Sequence, residues 1–200
     1  MGVGWYGWHS NQAEFQRANK LVSENDRSVT HIVPTTKKPT VTSIENYTVD
    51  PTQPRYLIIP KLRVHARILP VSLDKGGAID TPFSIFDTGW YNKSAQPGQL
   101  GAMVIDGHVS SDEVHGVFYN LESLRAGDSI DVQGGNGAVF MYRVVKIQEY
   151  DAHKVDMIAV MKSVNANPPR PGLNLITCSG DVAAGTNEFS KRLIVFAAQD

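Results

Sequence analysis

The chain has 200 residues, enough for one full domain, and 42% of them are apolar, which fits a protein with a real core. Its formal net charge is -1, so neither nucleic acid nor an anionic membrane surface is indicated by electrostatics. A single cysteine excludes an intramolecular disulfide and argues against a cysteine-based metal cluster, while 17 Gly and 11 Pro favour strands and turns.

Residues 1–50 read as a polar N-terminal extension. Gln12–Asn25 has a weak helical face of Ala13, Phe15, Ala18, Leu21 and Val22. Thr30–Thr42 is rich in Thr, Lys and Pro and reads as an extended, stalk-like linker, and removal of residues 1–45 is expected to cost little stability. Trp5, Tyr6, Trp8 and Phe15 are unusual for a tail and suggest a lid over a site further along. No run is long and apolar enough to span a bilayer.

Residues 51–200 read as the folded domain. Tyr56–Ile59 and Ala66–Val71 are apolar strands, the first stopped by Pro60. Ala78–Ser84 is expected to hold a helical turn, Ala102–Ile105 a buried strand and Val117–Leu124 a short helix. Ser129–Val132 alternates as a half-buried strand does, and a glycine-rich turn at 134–137 makes Ala138–Ile147 its hairpin partner. Lys154–Lys162 is the best helix candidate of the domain, and a proline-rich loop at 165–171 follows it. Leu173–Thr177 and Leu193–Ala197 are the last strands. Many short strands with frequent turns predict an all-β barrel or sandwich.

Three residues at strand ends stand out: His108 after Val104–Gly107, Cys178 after Leu175–Thr177, and Arg192 before Leu193–Phe196. A thiol attacks as its thiolate, which a neighbouring imidazole or cation favours. The oxyanion that follows needs a fixed donor, which a guanidinium supplies. A lone cysteine is more often a small buried hydrophobe, so local context has to decide.

That context resembles the sortase family. Leu175-Ile-Thr-Cys178 is similar to the core of the family's Thr-Leu-x-Thr-Cys motif, with Asn174 where Thr is usual. Ile105-Asp-Gly-His108-Val-Ser resembles its Gly-His segment. His115–Leu121 followed by Leu124-Arg-Ala-Gly-Asp128 resembles the stretch after that His, and Arg192 starts the closing strand in the family's order. Asp87-Thr-Gly-Trp-Tyr and Gly107-His-Val are most similar to class F. The resemblance spans residues 54–198 and implies a closed eight-stranded β-barrel.

It also implies a cysteine transpeptidase. Cys178 would attack the Thr–Gly bond of a Leu-Pro-x-Thr-Gly-like sorting-signal peptide, forming a thioacyl-enzyme. An amine acceptor on a peptidoglycan precursor or pilin would then resolve it. His108 would act as acid and base, and Arg192 as the oxyanion-side donor. Such an enzyme works outside the bacterial membrane, held there by an N-terminal anchor that is expected to have been removed from this sequence. The resemblance brings no cofactor, and the other histidines are not at metal-ligand spacing, so no metal is expected.

Thr177 either assists at substrate or is simply a β-branched strand residue. Val155 and Ile158 either line the sorting-signal groove or pack a helix onto the barrel. Asp106, where a small or apolar residue is usual, either points outward or favours the imidazolium of His108. An L,D-transpeptidase would need Gly before the cysteine and Arg two residues after it, where Thr177 and Gly180 stand. A non-catalytic surface β-domain would need no such trio.

Overall fold

The computed structural model describes residues 34–74, 77–111, 114–155, 160, 169–182 and 188–200. Within 34–200, eight strands close into one barrel: β1 (Pro54–Ile59), β2 (Val64–Val71), β3 (Thr88–Tyr91), β4 (Ala102–Gly107), β7 (Ser129–Gly134), β8 (Val139–Asp151), β9 (Gly172–Val182) and β10 (Phe189–Gln199). Their order around the barrel is β1-β2-β3-β4-β9-β10-β8-β7, and β5 (Ser110–Ser111) and β6 (Val114–His115) form a small separate hairpin. Closure leaves none of the eight strands with an open edge. No helix among the described residues is long and apolar enough to cross a membrane.

Alternation along the strands sorts side chains into two layers. Leu57, Ile59, Ile68, Met103, Ile105, Ile130, Val132, Tyr142, Leu173, Leu175 and Val195 fill the barrel interior. A second apolar cluster lies on the outer face of the wall formed by β3, β4, β9 and β10. It contains Tyr91, Val104, Ile176, Ile194 and Phe196, capped by Val160 and flanked by Val155.

Two of the strand pairs are parallel, β2–β3 and β4–β9; the rest are antiparallel. In the β4–β9 pair, Val104 lies opposite Asn174 and Asp106 opposite Ile176, so both strands run out at the same rim. β10 runs the other way along β9, with Arg192 opposite Cys178, and so begins at that rim.

Several local expectations are corrected. Residues 40–42, the end of the expected extended linker, are instead the start of a helix. Thr40 caps the helix α1 (Val41–Glu45) by accepting from the Ser43 amide at 3.1 Å, which satisfies one of the orphan N–H groups of a helix start. This segment is also bonded to the barrel. The Tyr47 hydroxyl donates to the Ile68 carbonyl at 2.7 Å, Arg55 Nε donates to the Tyr47 carbonyl at 2.6 Å, and the Tyr56 hydroxyl donates to the Ile44 carbonyl. Loss of residues 34–45 would take away the Ile44 and Glu45 carbonyls to which the Tyr56 hydroxyl and Arg55 Nη2 donate.

The stretch 78–84 holds no helical turn; it is an irregular loop, bridged at Leu73–Ile79 and Thr35–Ser84. Residues 117–124 form turns and a single 3-10 turn at Leu121–Ser123 rather than a helix. The helix expected at 154–162 falls mostly outside the described residues; Ala152–Lys154 is a 3-10 turn and Val160 is helical. The aromatic cluster at the N-terminus, with the helix expected at 12–25, also lies outside them.

Candidate active site

His108, Cys178 and Arg192 sit on three neighbouring strands, at the end of β4, in β9 and in β10. Parity puts the last two on the outer face. Leu173 and Leu175 point inward with Leu193 and Val195, while Ile176 points outward with Ile194, so Cys178 and Arg192 point outward too. Asp106, two residues beyond the outward Val104, shares that face. Cys178 is partly exposed and reduced.

Two glycines shape the approach to His108. A Cβ at Gly107 would lie 2.6 Å from the Phe118 ring, and one at Gly116 would lie 2.4 Å from the His108 carbonyl. A side chain at Gly116 would collide with His108 itself, and one at Gly107 with the Phe118 and Val117 side chains beside it. The Phe118 amide also donates to the His108 carbonyl at 2.9 Å, closing the turn.

The His108 ring meets the Pro82 carbonyl, with Nε2 at 2.9 Å. Burial pushes its pKa below the ordinary histidine value, and the carbonyl bond partly opposes this. Burial raises the Cys178 thiol above its ordinary value; the Arg192 cation pulls it down and Asp106 pushes it up. Both shifts favour the neutral forms, a thiol and an uncharged imidazole, over a preformed ion pair.

Asp106 is itself raised, to about 6, first by burial. Bonds from Thr81 and the Gly107 amide and the field of Arg192 act against that rise. Its charge is coupled to Cys178 and Arg192, whereas the shift of His108 comes from burial and Pro82. Of the two sequence alternatives, an outward carboxylate without effect or one acting on His108, neither describes Asp106: it acts on the thiol.

Arg192 Nη1 donates to the Phe189 and Lys191 carbonyls at 3.1 and 3.0 Å. These bonds hold the guanidinium by its own strand. The bonds among the described residues use Nη1 alone, of a guanidinium that has five N–H donors.

The substrate-side expectations fare differently. Thr177 points inward and is buried, and its hydroxyl donates to the Gly107 carbonyl at 2.8 Å. That hydroxyl is spent on tying β9 to β4, one residue before Cys178 and one before His108, so it is turned away from the face a substrate would use. Val155 is half-buried against the outer apolar cluster, beside Val160. Ile158 lies outside the described residues.

Asn174 stands out in the sequence only as a departure from the usual Thr. Here it is fully buried on the outer face, and its Nδ2 donates to the Val160 carbonyl at 2.7 Å. It thus ties Val160 to β9. Pro82 and Thr81, which bond His108 and Asp106, carry no sequence signal of their role, because an irregular loop has no periodicity.

A model of the sortase domain matches residues 57–200. The chain belongs to the sortase family. Sortases are cysteine transpeptidases of cell-surface protein sorting, and the closed barrel is their fold. Solved structures agree at the level of fold. Sortase C-1 of Actinomyces oris has a TM-score of 0.57 at 21% identity, covering 96% of this chain and 98% of that one. The sortase D5 transpeptidase of Clostridium perfringens has 0.54 at 21%, covering 80% and 86%. A point mutant of sortase E from Streptomyces avermitilis has 0.54 at 22%, covering 76% and 91%. No curated protein matches the sequence. These sortase relatives are of classes C, D and E, and the class F likeness rests on the sequence motifs alone.

Proposed function

We propose that Cys178 is the nucleophile of this sortase, His108 its acid and base, and Arg192 the donor to the oxyanion. The observation that carries this reading is the meeting of the three residues at one rim, on adjacent strands, with Cys178 and Arg192 directly opposed on the outer face. The substrate is a sorting-signal peptide of the Leu-Pro-x-Thr-Gly kind. Its apolar residues would lie along the outer wall near Ile176 and Ile194, beneath the segment carrying Val155 and Val160.

As the substrate carbonyl reaches Cys178, the thiol proton passes to His108 and the sulfur adds to the carbonyl carbon. Arg192 donates to the oxygen that gains charge. His108 returns the proton to the departing amine as the C–N bond breaks, leaving a thioester. An acceptor amine then adds to the thioester carbon, giving up a proton to His108, and the C–S bond breaks to restore the thiol. The acceptor is an amine on a peptidoglycan precursor or a pilin. The domain that performs this work is residues 34–200, because Thr35 and residues 44–47 are bonded to the barrel or its loops.

The test is a sorting-signal peptide incubated with enzyme and an added amine, followed by mass spectrometry of peptide and protein. The expected result is cleavage, an amine-linked product, and an acyl adduct on Cys178 when the acceptor is omitted. An adduct on another residue, or cleavage by Cys178→Ala, would overturn the reading.

A further inference from the structure

The loop between β2 and β3 holds the ring of His108, and nothing in the transpeptidation scheme uses that contact. A carbonyl oxygen only accepts hydrogen bonds, so the 2.9 Å contact with Pro82 requires the proton on Nε2. In a neutral imidazole the other nitrogen, Nδ1, is then the base. Proton transfer needs that nitrogen, so the Pro82 carbonyl decides whether the ring is in a working tautomer.

The carbonyl is fixed from three sides. Pro82 is buried, and its ring is seated on Gly89: a Cβ there would lie 3.1 Å from Pro82 Cδ. On the N-terminal side, Thr35 bridges Ser84 in parallel fashion. The Thr35 amide donates to the Phe83 carbonyl at 2.8 Å, and the Ile85 amide donates to the Thr35 carbonyl at 3.2 Å. On the other side, the Val117 amide donates to the Ile85 carbonyl at 2.8 Å, next to the Phe118 amide that bonds His108 itself. The loop has little regular structure of its own, so these bonds supply its rigidity.

We propose that Pro82 is a positioning residue for His108, holding its proton on Nε2 and leaving Nδ1 as the basic nitrogen, and that Thr35 braces the loop that carries it. The proposal rests on His108 being the acid and base. It makes the segment just ahead of α1 a working part of the enzyme: residue 35 acts on residue 108 through backbone bonds alone.

Nitrogen-15 NMR of the imidazole at about pH 8, where a histidine ring is neutral, reads the tautomer directly. The wild-type enzyme is expected to show the proton on Nε2 of His108. A proton on Nδ1 would overturn the assignment, and this measurement needs no variant to fold. Thr35→Pro removes the amide that bonds Phe83, while Thr35→Ala keeps both backbone bonds. The proline variant is expected to show mixed tautomers and a kcat lower by about tenfold with KM little changed, as expected of a misplaced base. The alanine variant is expected to match wild type. A folded Thr35→Pro enzyme with unchanged ring signals and unchanged kcat would remove Thr35 as the brace. Full cleavage by His108→Ala would instead sink the acid–base reading and leave the measured tautomer standing.

Discussion

Along β9 from Leu173 to Cys178, neighbouring residues have opposite tasks. Leu173, Leu175 and Thr177 point into the barrel, where two leucines fill space and a hydroxyl ties two strands together. Asn174, Ile176 and Cys178 point out, where one ties Val160 to the strand, one floors the outer wall and one carries the thiol. The same backbone serves both faces because a strand turns each successive side chain by half a revolution. The lesson is that chemistry and stability are separable here residue by residue, and substitutions along β9 and its neighbours test how cleanly.

The largest separation is expected at Cys178. Cys178→Ala should abolish peptide cleavage and leave the thermal midpoint unchanged, since a partly exposed thiol contributes little packing. A large drop in the midpoint would show that Cys178 itself carries stability, as its outward neighbours Asn174 and Ile176 do. The mirror case is Leu175→Ala, three residues away and fully buried, which should cost about 2–5 kcal/mol in denaturant unfolding. Wherever the variant is folded, its turnover should survive.

Arg192→Lys sharpens the outer face further. A planar fork and a point charge differ in geometry more than in charge. If donation to the oxyanion is what matters, cleavage should fall by about 10²-fold while alkylation of Cys178 hardly changes. Near-normal cleavage would reduce Arg192 to a field effect.

Thr177→Val tests the inner face beside the thiol. The Gly107 carbonyl would lose its partner, at a cost of about 1–2 kcal/mol in stability. Turnover should fall less than in the Arg192 variant, because the strand ends shift while the thiol, imidazole and guanidinium all remain.

The smallest effect is expected at Asp106. Its folded pKa of about 6 lies above the ordinary 3.8, so the folded state binds the proton more tightly. The resulting penalty is absent below the ordinary value, grows as pH rises towards 6, and is constant above it. Asp106→Asn should therefore stabilise the enzyme above pH 6, by no more than about 1 kcal/mol because the partly exposed carboxyl is screened. It should also shift the pH profile of Cys178 alkylation to lower pH, as the carboxylate no longer opposes the thiolate. An unshifted alkylation profile would detach Asp106 from the site.

Much of the barrel was legible because its strands are short and apolar. The expected Tyr56–Ile59, Ala102–Ile105 and Ser129–Val132 all lie inside observed strands. β3 was not legible: its four residues are all buried, so it has no alternation, and Gly89 weakens any propensity signal. β9 and β10 run on past the expected apolar cores, because beyond the barrel their backbones bond to each other without burying side chains. The helix α1 was missed because five residues show no periodicity and only the Thr40 cap marks it.

The candidate trio was legible through its motifs, but its arrangement was not. That Thr177 faces away from Cys178 follows from strand alternation once β9 is known, and could have been deduced. That Pro82 would meet His108, or Asn174 would meet Val160, depends on contacts distant in sequence, which a single sequence does not encode visibly.

The parallel pairing of β4 with β9 has a consequence for how the enzyme comes to life. Cys178 and Arg192 share one hairpin, which closes locally and early. His108 joins them only when β4 finds β9 across all of β5 to β8, a non-local closure that raises contact order and slows assembly. A refolding chain should thus regain the hairpin environment of its thiol before it regains turnover. In the interval the thiol stands without the imidazole that the β4–β9 pairing brings to its rim.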